Sequence, residues 1–191
     1  MEPALAIAQI VETKRIPTIV MTQDPRIAEG RKYIIRFVNP ADDYAKALFR
    51  YFRANKLKHF GIIKAEMTFA NVMVDALKKN LASDESLEII QTVIPSDQDF
   101  NTLVAKLRLK NFDVFGLYLI PSQVISFCRQ YKTQRLKLPI FGSTVLESID
   151  AIRQCAGVLD SSVFSHIYVE DTFHNRYQKA LLSGRDLLIT R

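Results

Sequence analysis

The chain has 191 residues, 48% of them hydrophobic, with 26 basic against 20 acidic side chains and a formal net charge of +6. That composition excludes a disordered or low-complexity chain, and the longest apolar stretches are strand-sized, too short to span a membrane as a helix. The basic residues are spread over nearly every expected helix, densest over 129–137, and without interleaved stacking aromatics they read as solvated helix faces, not a nucleic-acid surface.

Leu5, Ile7, Ala8 and Val11 recur at helical spacing and predict a helix over 4–14, followed by a strand over 16–20. Met1, Glu2 and Pro3 lead straight into that helix without a basic run or a small-residue cleavage site, so no signal peptide is expected within these residues. Residues 21–32 read as a polar loop with Pro25 and Gly30, and 33–38 as a second strand. Asn39 and Pro40 suit the cap and first position of a helix with Asp42 in its first turn, burying Tyr44, Ala47, Leu48, Tyr51 and Phe52. A buried strand follows over 60–63. Thr68 then caps a helix whose Phe69, Val72, Met73, Ala76 and Leu77 form one stripe, closed by Lys78 and Lys79.

Residues 87–119 form the unit that the rest of the chain repeats. Leu87, Ile89, Ile90, Val93 and Ile94 make a strand-like run stopped by Pro95. Ser96 with Asp99 three residues on reads as a carboxylate variant of the capping box, and Phe100, Leu103, Val104 and Leu107 supply a helical stripe. Residues 112–119 are apolar apart from Asp113, as a strand buried on both faces requires. Strand, helix, strand in this order is a βαβ crossover, and it predicts an α/β fold with parallel sheets flanked by helices. Further helices are expected over 122–131 and 146–154, strands over 138–141 and 163–169, a helix over 171–182 ended by Gly184, and a last strand over 187–190. The break falls at 37–43, because a helix and two strands before it are too little to bury their own core.

Little of this sequence suggests catalysis. His59, His166 and His174 lack metal-ligand spacing, and no glycine-rich phosphate loop or nucleophile elbow occurs, so no cofactor and no enzyme is expected. A flavodoxin-like enzyme half domain stays as an alternative, with the missing phosphate loop against it. Cys128 and Cys155 have neither a C-x-x-C nor a histidine context and read as two buried thiols.

The helix ALAIAQIVETK, the strand IPTI at 16–19, Thr22, YIIRFVNPADDYAKAL, DFNTLVAKL at 99–107 and LPIFG at 138–142 stand in an order that resembles the type I periplasmic binding proteins. Within them the similarity is to the leucine/isoleucine/valine-binding branch of ABC-transporter solute receptors. The resemblance implies two Rossmann-like lobes, with 1–38 as a remnant of lobe 1, 39–166 as lobe 2 and 167–191 as a crossover back toward lobe 1. It implies an export signal upstream of Met1 and a periplasmic or extracellular, lipid-anchored location. It also implies noncatalytic capture of an amino acid, carboxylate or amide in an interlobe cleft, with a membrane permease as partner and a homodimer covering the exposed lobe 1 remnant. A ligand-sensing or regulatory domain of the same fold is the alternative.

The resemblance places ligand contacts at Thr22, at Phe69 as an aromatic lid, at Ile120 and Ser122 in the loop beginning with Leu119, and at Thr144. An ordinary loop threonine and a core phenylalanine are the plain readings of Thr22 and Phe69. Thr144 stands where amino-acid-binding members carry a glutamate for the ligand's ammonium. A buried ammonium without an anion is costly, so an α-amino acid ligand would need Glu66 or Asp171 as a substitute.

Overall fold

The computed structural model describes residues 3–166, with side chains from Leu5 onward. Strands and helices alternate as their hydrophobic spacing predicts, and they make two separate sheets. The helix α1 (Pro3–Thr13) precedes strands β1 (Thr18–Val20) and β2 (Ile34–Arg36), which pair in parallel with Thr18 opposite Ile34. One face of this pair packs on α1 through Ala8, Ile27 and Ile34, backed by Leu5, Val11 and Val20. Strand alternation turns Ile19 and Ile35 to the other face, where they are 68% and 61% exposed. The connecting loop is ordered by side chains: Asp24 caps a 3-10 turn at Pro25–Ile27, and the Glu12 carboxylate accepts the Lys32 and Tyr33 N–H groups at 2.9 and 3.0 Å.

The chain continues through α2 (Ala41–Ala54), β3 (His59–Ala65), α3 (Thr68–Lys79), β4 (Ser86–Val93), α4 (Asn101–Arg108), β5 (Val114–Tyr118), α5 (Pro121–Thr133), β6 (Ile140–Gly142), α6 (Ile149–Gln154) and β7 (Val163–Phe164). These five strands form one parallel sheet in the order β4-β3-β5-β6-β7. Phe60, Ile62, Val114, Tyr118 and Phe141 share a core with α2 and α3. There Phe52 lies 4.9 Å from the Phe60 ring and 5.0 Å from the Phe141 ring, centroid to centroid. Ile63, Ala65, Phe115, Leu117 and Ile140 face the opposite way, onto α4, α5 and α6. β5 is buried at every residue, as its unbroken apolar run requires. Gly116 in its middle has no side chain because a Cβ there would lie 2.6 Å from the Phe141 ring.

Tertiary contacts moved several boundaries. The expected capping box at Ser96 and Asp99 does not start a helix; α4 begins at Asn101. Residues 94–100 instead find their hydrogen-bond partners on α5 and within the loop. Gln123 Nε2 donates to the Ile94 and Asp97 carbonyls at 2.8 and 3.2 Å, and Gln130 Oε1 accepts the Phe100 N–H at 2.6 Å. The Asp97 carboxylate turns back to accept the Ile94 N–H at 3.0 Å. Asn39 does not cap α2, since the Ala41 N–H donates to the Gln23 carbonyl at 3.2 Å and Pro40 takes the cap position.

On α2, Ala45 and Phe49 are buried in place of the expected Ala47 and Tyr51, because the helix turns its 41–45–48–52 stripe toward α3 and the sheet. Thr68 is the first helical residue of α3, not its cap. The helix expected over 146–154 divides into a 3-10 turn (Thr144–Glu147) and α6. Ser143 and Ser148 each present a hydroxyl to a new helix start, accepting from Val145 and Ala151 N–H groups. The strand expected over 163–169 is seen at Val163–Phe164. The remainder of that strand, the helix over 171–182, Gly184 and the strand over 187–190 lie outside the described residues, as does the crossover over 167–191.

Candidate functional site

In an open parallel sheet the connections leave from the carboxyl ends of the strands, and a crevice opens where neighbouring connections depart to opposite faces. β3 feeds α3 on one face while β5 feeds α5 on the other, so this divergence lies between β3 and β5. The same edge carries the segments after β6 and β7. The loop after β1 reaches it through the Gln23–Ala41 backbone bond.

Seven residues from these segments line one crevice: Gln23 after β1, Tyr44 on α2, Phe69 and Met73 on α3, Ser143 and Thr144 after β6, and Ser165 after β7. Its volume is about 10 Å³, room for a single water at most. None of the seven side chains is charged. Tyr44 is hydrogen-bonded to the Gln23 side chain, and burial raises its phenol above the ordinary tyrosine value. Among the described residues the Ser165 hydroxyl is buried without a hydrogen-bond partner, as is that of Tyr118 at the end of β5. Burial lifts the Tyr118 phenol as well, so both rings are neutral at physiological pH.

Of the residues singled out in the sequence, Phe69 and Thr144 meet in this crevice. Thr22 is buried one residue from Gln23, where its hydroxyl accepts the Asp24 N–H at 3.2 Å, and it is not part of the lining. Ile120 is the half-buried cap of α5, and Ser122 is exposed in the first turn of that helix. Glu66 is exposed and outside the lining, and Asp171 lies outside the described residues. Gln23, Tyr44, Met73, Ser143 and Ser165 were missed as site residues. Tyr44 and Met73 carried only a core signal. Ser143 and Ser165 could have been found from the rule that sites gather where strands end.

A larger groove of about 580 Å³ runs between the Pro25–Ile27 turn and the outer side of α3. It is charged but internally compensated at one end: Asp24 is buried, and Arg26 Nε donates to both of its oxygens at 2.9 and 3.0 Å. That hydrogen bond holds the Asp24 carboxyl below its usual range against the opposing effect of burial. Among the described residues no group of three or more acidic, histidine or cysteine side chains is placed to hold a metal, and no helix is long and apolar enough to cross a membrane.

The sequence profile of the periplasmic binding proteins matches residues 2–182, nearly the whole chain. The chain belongs to the periplasmic binding protein family. Solved structures with the same fold include a leucine-binding protein from Thermotoga maritima, 16% identical with a TM-score of 0.76, over 92% of this chain and 53% of that one. An ABC-transporter solute-binding protein from R. palustris in complex with benzoate is 17% identical with a TM-score of 0.75, over 95% and 52%. A branched-chain amino acid ABC transporter structure from Thermus thermophilus with bound valine is 16% identical with a TM-score of 0.73, over 96% and 50%. This periplasmic binding protein chain thus spans about half the length of the structures it matches. No curated protein matches its sequence.

Proposed function

We propose that this chain takes part in noncatalytic capture of a small polar ligand, as part of the substrate-binding component of an ABC transporter that delivers to a membrane permease. The observation that carries this reading is the neutral crevice in which segments after β1, β6 and β7 converge on Phe69, with the buried Ser165 hydroxyl lacking a partner among the described residues. An unsatisfied buried hydroxyl costs about 1–3 kcal/mol, a cost that a ligand's polar atom would remove. Because the crevice holds about 10 Å³, admission of a ligand requires the two sheets to separate. In this reading residues 38–42 act as a hinge between a lobe 1 part over 1–38 and a lobe 2 over 39–166, with 167–191 as the crossover back toward lobe 1.

The lining offers hydroxyls, an amide and an aromatic edge, and no carboxylate. Its hydroxyl and amide N–H donors suit the oxygens of an amide or carboxylate ligand, while it offers no anion to a free ammonium. Thr22, Ile120 and Ser122 remain in this proposal as contacts of an opened cleft, since each lies at or beside a strand end. A periplasmic or extracellular position with a lipid anchor, and a second copy of the chain over the bare face of Ile19 and Ile35, complete the reading.

A thermal-shift titration with aliphatic and aromatic carboxylates, amides and amino acids tests it, because a ligand at 100 times its Kd stabilises the native state by about 2.7 kcal/mol. We expect a shift from a carboxylate or amide, weakened by Ser165→Ala and by Thr144→Ala. A shift confined to amino acids would overturn the ligand class. A cooperative melt with no shift from any compound would overturn the binding role of this chain.

A further inference from the structure

The ligand crevice makes no use of the two cysteines, which lie on the far side of the sheet. Cys128 is on the inner face of α5 and Cys155 is the residue that ends α6; each is 1% exposed. They are 27 positions apart in sequence, yet both are free, buried thiols packed in the same core. Cys155 Sγ also lies 3.8 Å from the carbonyl oxygen of Val124, the residue one helical turn before Cys128, so it sits directly over the turn that carries its partner. The surroundings are apolar, with Phe127, Leu146, Ala151 and Leu159 in the same core. Nothing among the described residues recruits the pair into a metal site.

We propose that Cys128 and Cys155 form an intrachain disulfide that staples the end of α6 to α5. The proposal rests on the reading of the chain as an exported protein only for the setting in which the bond forms, since disulfides persist in oxidising compartments. The oxidant is an external disulfide. One cysteine thiolate attacks it and releases the first external thiol; the second cysteine displaces the other half as a second thiol and closes the Cys128–Cys155 bond. Both protein thiols are oxidised, the external disulfide is reduced, and the two thiol protons leave with the released thiols.

The hydrogen bond to Cys155 and burial hold the Cys128 thiol above its ordinary value. It is therefore protonated and inert in the closed core, and exchange belongs to the folding chain or to an opening of α6, which has only six residues. The bond would do more than close a loop. α6 directly follows the segment of Ser143 and Thr144, while α5 begins at the strand end that carries Ile120. Tying the two helices fixes the segment that follows β6 relative to the start of α5.

The test is to refold the full chain with and without oxidised glutathione, block remaining thiols with iodoacetamide, and measure intact mass, a tryptic map and the melting temperature. The expected product is two hydrogens lighter than the reduced chain, takes up no iodoacetamide, and yields one cross-linked peptide containing Cys128 and Cys155. Its melting temperature should exceed that of the same sample in dithiothreitol by roughly 6–12 °C. Cys128→Ala and Cys155→Ala should each abolish the dependence on dithiothreitol, a readout that lost packing alone does not produce. Two alkylated cysteines, glutathione adducts on both, or a cross-link between chains would overturn the proposal. A chain that gains the bond and still binds no ligand would leave this inference standing and remove only the proposed function.

Discussion

The two sheets of this molecule are built from the same kind of strand and end in opposite situations. The five-stranded sheet has helices on both faces, and its central strand β5 is buried at every residue. Among the described residues the two-stranded sheet has α1 on one face, while Ile19 and Ile35 on the other are exposed. Parallel strands are apolar on both sides because they are made to be covered twice, so the bare face of β1 and β2 marks where a second layer belongs. The contrast shows that a strand's composition states how much cover it needs, whereas the layers around it decide how much it receives.

Mutations can break or sharpen this contrast. The largest effect is expected inside the covered sheet: Phe52→Ala, which removes a ring packed against Phe60 and Phe141, should cost about 3–5 kcal/mol in urea unfolding. Next comes Gly116→Ala, whose added methyl would press on the buried Phe141 ring and should cost about 1–3 kcal/mol by the same measurement. Gln123→Leu should cost about 1–2 kcal/mol, because it takes the side-chain donor from the Asp97 carbonyl and leaves the Ile94 carbonyl only the Asp97 N–H at 3.0 Å. Hydrogen exchange should then report faster opening of residues 94–100.

A smaller effect depends on pH. Glu85 accepts from Arg53 at 2.7 and 2.9 Å, and this bond is the main reason its carboxyl lies below the ordinary glutamate value, against the opposing effect of burial. A carboxyl with a lowered folded value stabilises the protein above its unfolded value, and that stabilisation is lost as pH falls through the folded one. Arg53 is about half exposed, which limits the pair to about 1 kcal/mol. Glu85→Gln should therefore lower stability by that amount at pH 7 and flatten the acid side of the stability curve, as followed by melting temperature from neutral pH into the carboxylate range. The smallest effect is expected on the bare face of the single chain, where at low protein concentration Ile35→Ala should change unfolding stability by less than about 0.5 kcal/mol. A loss above about 1 kcal/mol that grows with protein concentration would mean that this face is covered by a second copy in solution.

Much of the fold was legible because periodicity is a local property. The stripe of Phe100, Leu103, Val104 and Leu107 and the unbroken run through β5 state helix and buried strand directly, and all nine of those positions are buried. The start of α4 was not legible, because Gln123 and Gln130, more than twenty residues downstream, take up the loop's backbone groups. Of the crevice, Phe69 and Thr144 could be named in advance through the order of motifs around them. Tyr44 and Met73 could not, since helical spacing assigns them to a core and only packing shows that they also reach its rim.

By itself the sequence determined the alternation of strands and helices, the parallel α/β class and the resemblance to periplasmic binding proteins, because each depends on residue spacing within a few turns or strands. Tertiary structure alone decided the strand order, the meeting of Gln23, Thr144 and Ser165 in one crevice, and the packing of Cys128 and Cys155 in one core. Those features join residues far apart along the chain, and no local pattern of side chains records which distant segment will arrive beside them.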